Sequence, residues 1–186
     1  AAALKGGARI VQLRDKASDK GGLLTTATKM KTLCARHDAL FIMNDDADIA
    51  ALCNADGLHV GQGDLPVGGA RAVLKPAQII GRSNNTLDEA LQAQADGADY
   101  IAIGAVFATK TMGKAERKPV GVDMVKRVKE AVSPPVVAIG GINASNAADV
   151  VKAGADCVCV VSAVTMAGDP EAAARQITAA IASAAR

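Results

Sequence analysis

The 186-residue sequence predicts an α/β fold, a TIM (β/α)8 barrel that lacks its first strand, and two observations carry that prediction. The first is a recurrence. A short Ala-rich helix ends at Gly and a β-branched apolar run follows, in LKGGARIVQLR, NADGLHVG, ADGADYIAIGAV and KAGADCVCVVSAV. The second is composition: half the residues are hydrophobic, yet there are only two Phe, one Tyr and no Trp. Ala, Val, Ile and Leu must fill the core, as suits strands buried on both faces under closely packed helices. Strands alternating with helices imply a parallel sheet.

Taken in order, the strands are expected at Arg9–Arg14, Leu40–Asn44, Gly57–Val60, Ile79–Arg82, Tyr100–Val106, Pro135–Ile139 and Cys157–Val161. Gly7, Gly57, Gly97 and Gly154 are placed as left-handed C-caps of the helices before them. Thr86-Leu87-Asp88-Glu89 reads as a capping box, and Asp169 before Pro170 as an N-cap with its first helical residue. Asn143 or Ser145 is the expected cap of a helix over Ala147–Ala153. Seven strands admit a doubly wound open sheet or an eight-stranded barrel without its first strand. No G-x-G-x-x-G turn follows any strand. The opening AAALKGGAR reads as the tail of a helix, where a barrel stands once its first strand is removed. Residues 1–186 are therefore expected to form one barrel domain, N-terminally truncated.

A formal charge of +2 without a basic run argues against a nucleic-acid or membrane-surface partner. No apolar stretch approaches the roughly 20 residues of a membrane span. Cys34, Cys53, Cys157 and Cys159 show no CxxC pairing, and the last two alternate in a Val-rich run as small core residues would. A reducing, cytoplasmic setting is the expectation. A targeting segment ahead of the first residue and assembly into a homo-oligomer are both left open.

Active sites of such barrels lie at the C-terminal strand ends, and there the polar residues gather. Gln12, Arg14 and Lys16 alternate, so they share one side of their strand. Inside a barrel two cations call for an anion, and a diphosphate would satisfy both; on a strand leaving the barrel they would simply be solvated. Asp45 and Asp64 close neighbouring strands. Each alone reads as a helix cap; together they are the carboxylate pair that Mg²⁺ takes alongside water and phosphate oxygens. Gly140-Gly141 and Ser162 fit the phosphate site after the last two strands. His37 reads as a surface residue and His59, inside a strand, as a packing residue or one that supports the site from behind. No Ser-His-Asp or Cys-His arrangement suggests covalent catalysis.

Seven pieces in order, QLRDK (12–16), NDD (44–46), GLHVGQGD (57–64), GRSNNT (81–86), GADYIAIGAVFAT (97–109), VVAIGGI (136–142) and AGADCVCVVSAV (153–164), resemble thiamin phosphate synthase. The resemblance implies a transferase that joins hydroxymethylpyrimidine diphosphate to a thiazole phosphate and releases pyrophosphate, with Mg²⁺ as cofactor and these small molecules as partners. By it, Gln12, Arg14, Lys16, Asn44 and Ser83 hold the pyrimidine diphosphate, with Leu13 and Asp15 in the same segment. Asp45 and Asp64 match the metal ligands, and Thr109, Thr111, Gly141, Val161 and Ser162 match the thiazole phosphate site. Arg14 and Lys16 then act on the charge growing on the departing pyrophosphate. The family carries Lys after the second Thr of its T-x-T loop, where this sequence has Met112. Lys114 is the expected substitute, with Lys110 the second choice. Two rivals remain: the related thiazole tautomerase, which needs no full diphosphate and Mg²⁺ set, and a barrel that only binds a phosphorylated ligand.

Overall fold

The computed structural model describes residues 1–109 and 118–184. Within them, β1 (Ile10–Leu13), β2 (Leu40–Asn44), β3 (Gly57–Val60), β4 (Ile79–Asn84), β5 (Tyr100–Ile103), β6 (Val136–Ile139) and β7 (Cys157–Cys159) pair in chain order, all parallel. They form the curled wall of a TIM-like barrel with one strand position open, because β1 and β7 are edges that do not pair. Each expected strand is present; β4 runs on to Asn84 and β5 stops at Ile103. The helices are α1 (Ala2–Lys5), α2 (Lys20–Ala35), α3 (Ala47–Leu52), α4 (Val67–Val73), α5 (Leu87–Ala95), α6 (Val122–Ala131), α7 (Ala147–Lys152), α8 (Ser162–Thr165) and α9 (Pro170–Ala184). Among the described residues no helix is long and apolar enough to cross a membrane.

Side chains alternate across the sheet. Phe41, Met43, Leu58, Val60, Ile80, Ile101, Ile103, Val136 and Ala138 face the helices and join one apolar core with Ala27, Ala50, Ala90 and Val125. The register places the intervening residues on the inner face: Gln12 beside Ile42, Asn44 beside His59, His59 beside Gly81, Gly81 beside Tyr100, and Ser83 beside Ala102. The outer layer holds the fold and the inner layer holds the polar groups.

Three aspartates just ahead of strands repeat one device. Asp56 accepts from Phe41 N–H at 2.7 Å and pairs with Lys31. Asp99 accepts from Ile80 N–H at 2.6 Å and pairs with Arg71. Asp156 accepts from Val136 N–H at 2.8 Å and pairs with Lys129. Each carboxylate thus satisfies the first buried donor of the neighbouring strand and ties a helix cation to it. Burial alone would raise Asp156, but Lys129 and the Val136 N–H outweigh that and hold it below the usual carboxylate range. A depressed folded value contributes stability that is present above the unfolded value of 3.8 and fades as pH falls through the folded one. Asp156→Ala should cost about 1–3 kcal/mol at neutral pH, the penalty of stranding a buried N–H. Its deficit should shrink below pH 3.8 in urea titrations.

Helix ends refine the expectations. Gly7, Gly97 and Gly154 take left-handed φ of 104°, 85° and 102° as expected. Gly57 does not cap: it lies within β3, and the left-handed residue after α3 is Asn54, at φ 51°. Asn tolerates that region because its short amide can bond locally. Gly57 answers a different need, since a Cβ there would meet Ile79 Cγ1 and O at 2.5 Å. Thr86 accepts from Glu89 N–H, but Glu89 returns its carboxylate to Asn85 N–H, one residue before the cap. Asp169 caps α9 through the Glu171 and Ala172 N–H groups, both at 3.0 Å. Neither Asn143 nor Ser145 caps α7. Asn143 Oδ1 accepts from Ser145 instead, and Asn146 stands at the N-cap with its side chain turned to Asn143 N–H and Gly141 O.

Candidate active site

The strand ends of β1, β2 and β3 converge on one charged cluster. Asp45 follows β2 with φ 63°, a left-handed conformation uncommon for a residue with a side chain. The Lys16 ammonium donates to Asp45 Oδ2, and the Asp45 and Asp64 carboxylates lie within hydrogen-bonding reach of each other. Asp64 is held in turn by the Gly61 N–H at 2.8 Å. Burial pushes the Asp45 carboxyl up, and neighbouring Asp64 adds to this against the pull of Lys16. Burial would also raise Asp64, but the contacts with Asp45 and the Gly61 N–H bring it down. Such opposite shifts belong to two carboxyl groups that share a site. The hydrogen bond to Asp45 raises Lys16, while the like charge of Arg14 opposes the shift. Arg14 is exposed and makes no ion pair among the described residues.

The remaining β1 positions divide. Gln12 and Arg14 stand exposed beside the open edge, whereas Leu13 packs against the helical core and offers a ligand only its backbone. The Asp15 carboxylate accepts from Ser18 Oγ at 2.6 Å and from the Ala17 and Ser18 N–H groups, which lower its pKa and fix the loop after β1.

Behind Ser83 lies an arrangement that motif spacing does not expose. His59 is buried on the inner face, its Nδ1 2.9 Å from Tyr100 Oη and its Nε2 2.8 Å from Ser83 Oγ. The His59 and Tyr100 rings stack with centroids 5.7 Å apart. Burial pushes His59 down to about 4 and the Tyr100 phenol up, so both are uncharged at neutral pH. The Tyr100 ring lies over Gly81, where a Cβ would sit 1.8 Å from Tyr100 Cζ. Gly81→Ala should therefore expel the ring and cost about 1–3 kcal/mol or more, the range for overpacking; a lowered urea midpoint would register it. The signal available in the sequence was the single tyrosine, one strand beyond Gly81.

A second group of strand ends follows β5, β6 and β7. Gly140 and Gly141 have φ of 104° and 66°, and a Cβ on Gly141 would meet Ala108 O and Phe107 Cβ at 2.8 Å. This close approach is sealed by Phe107 N–H donating to Gly140 O at 3.0 Å, and it carries the segment ending at Thr109 beside Gly141. Val161 and Ser162 stand at the turn from β7 into α8. Lys110, Thr111, Met112 and Lys114 lie outside the described residues.

The chain matches the family model described as thiamine monophosphate synthase over residues 1–164. It is 46% identical over 174 residues to the thiamine-phosphate synthase of Methanospirillum hungatei, covering 93% of this chain and 84% of that protein. The chain belongs to the thiamine monophosphate synthase family. With that family it falls among the transferases of thiamine biosynthesis. A thiamine-phosphate synthase of Thermosynechococcus vestitus is 47% identical over 95% of the chain, which spans half of that longer protein. The solved thiamine phosphate pyrophosphorylase from Pyrococcus furiosus superposes with a TM-score of 0.92 at 36% identity, covering all of this chain and 88% of that one. A 3-hexulose-6-phosphate synthase at 23% identity and TM-score 0.71 shares the fold alone.

Within the thiamine monophosphate synthase family frame, the Asp45–Asp64 pair suits Mg²⁺ by its donor chemistry. Two carboxylate groups converge, one braced by a backbone N–H, and no third His, Cys, Asp or Glu joins them among the described residues. An ion there would draw its remaining oxygens from water and phosphate, the coordination Mg²⁺ prefers.

Proposed function

We propose that this chain condenses hydroxymethylpyrimidine diphosphate with a thiazole phosphate, giving thiamin phosphate and pyrophosphate, and that residues 1–186 act as one domain. The observation that supports it most is the convergence of Lys16, Asp45 and Asp64 beside the exposed Arg14.

Arg14 and Lys16 bind the diphosphate, Arg14 by its planar fork and Lys16 as a point charge. Asp45 and Asp64 would hold Mg²⁺, which when bound supplies further positive charge against the diphosphate. The bond from the pyrimidine methylene carbon to the diphosphate oxygen breaks, and its electron pair leaves with pyrophosphate. The thiazole nitrogen then gives its lone pair to that carbon, forming the C–N bond and a thiazolium cation. No proton needs to be removed, which agrees with a site whose buried imidazole has both nitrogens engaged. Gln12, Asn44 and Ser83 orient the pyrimidine on the inner face. Thr109, Gly141, Val161 and Ser162 receive the thiazole phosphate at the neighbouring strand ends, with Thr111 and a lysine of the following loop, Lys114 or Lys110, completing that side. Positioning and charge neutralisation carry the rate. Four free cysteines agree with a reducing, cytoplasmic setting.

The test mixes the protein with both phosphorylated substrates and Mg²⁺. Thiamin phosphate and pyrophosphate are expected in equal amounts. Failure to form either from this mixture would overturn the proposal.

A further inference from the structure

The chain Tyr100–His59–Ser83 crosses the barrel interior from β5 through β3 to β4. An uncharged imidazole carries one N–H, so its two hydrogen bonds cannot both be donated by the ring. Two polarities are available. In one, Tyr100 O–H donates to Nδ1 and Nε2–H donates to Ser83 Oγ. In the other, Nδ1–H donates to Tyr100 and Ser83 donates to Nε2.

The half-buried Tyr100 hydroxyl decides between them. Among the described residues His59 is its one hydrogen-bond partner. In the second polarity the phenol proton would have no acceptor among the described residues, and the phenol would serve only as an acceptor, its weaker role. In the first, the phenol, a better donor than acceptor, donates, and the proton left over is that of the Ser83 hydroxyl. The Nε2–H tautomer follows.

We infer that His59 and Tyr100 are positioning residues that fix Ser83 as a hydrogen-bond donor, so that Ser83 selects a ligand presenting a ring-nitrogen acceptor. With Oγ accepting from Nε2–H, the Ser83 proton is free to turn toward the barrel mouth. Ser83 is half-buried on the inner face, next to Ala102 and one pleat from the Tyr100–Gly81 contact. That the acceptor belongs to the pyrimidine rests on the reaction proposed above; the polarity of the chain does not.

Nitrogen-15 NMR of the labelled protein without substrate reads the tautomer directly. The sequence has two histidines, so a His37→Gln variant assigns the remaining ring to His59. A pyridine-type Nδ1 and a pyrrole-type Nε2 are expected, and Tyr100→Phe should move the Nδ1 resonance. A pyrrole-type Nδ1 in the unsubstituted protein would overturn the inference.

Kinetics give the second reading. Tyr100→Phe and His59→Leu should raise the KM for the pyrimidine diphosphate about threefold to tenfold, the value of one neutral hydrogen bond, with kcat little changed. His59→Gln keeps an amide donor near the Nε2 position and should recover most of the loss. Equal impairment of the folded Gln and Leu variants, or a fall in kcat alone, would overturn the inference. If the unsubstituted protein makes no thiamin phosphate, the reaction proposal fails while the tautomer still decides the polarity.

Discussion

Asp45→Asn and Asp64→Asn are each expected to lower turnover by about 10²–10³-fold, the scale for removing one group that stabilises transition-state charge. Lys16 donates to Asp45, whose carboxylate neighbours that of Asp64, so the two substitutions remove parts of a single unit. The double variant should therefore fall little below the worse single one, since groups acting together are not additive. Far-UV circular dichroism should be unchanged, because both side chains lie at strand ends outside the apolar core. Raising Mg²⁺ should recover part of the activity of each single variant by mass action. Near-normal turnover of both singles at low Mg²⁺ would remove this pair from the mechanism.

Arg14 carries the second large effect. Its side chain is exposed, has no ion pair among the described residues, and lies close enough to Lys16 for the like charge to be felt. Lys16 has Asp45 as its counter-charge, so Arg14 beside it is the cation poised for an anion. Arg14→Ala should cost about 10²–10³-fold in kcat/KM for the diphosphate substrate. Arg14→Lys keeps the charge and loses the forked geometry, and should recover no more than part of this. Folding stability should not fall, and removing a charge beside Lys16 can raise it slightly. A kcat/KM within twofold of the starting value for Arg14→Ala would place the diphosphate elsewhere.

β1, β5 and β7 were legible because each begins after the same signal: a left-handed glycine, a short spacer and an apolar run. The signal misled at Gly57, where Asn54 had already taken the left-handed turn and the glycine answers to Ile79 across the sheet. A local pattern cannot reveal a requirement imposed by the next strand. The cap of α7 was misread for a similar reason: Asn143, Ser145 and Asn146 compete within four residues, and their mutual hydrogen bonds settle the outcome. The charged half of the site was legible because barrels gather it at strand ends, whatever the helices do. Tyr100 escaped notice because its contact with His59 reaches over Gly81 from two strands away. His59 was expected to pack or to support the site from behind; it is buried, and both ring nitrogens are engaged, one of them by Ser83.

Pleating gives each strand two independent vocabularies. In β2, Phe41 and Met43 spell the contact with the helices, while Ile42 and Asn44 between them spell the lumen. A single-nucleotide change therefore edits one text and leaves its neighbour unread. Lumen residues can drift toward a new ligand while the helical shell keeps its grammar.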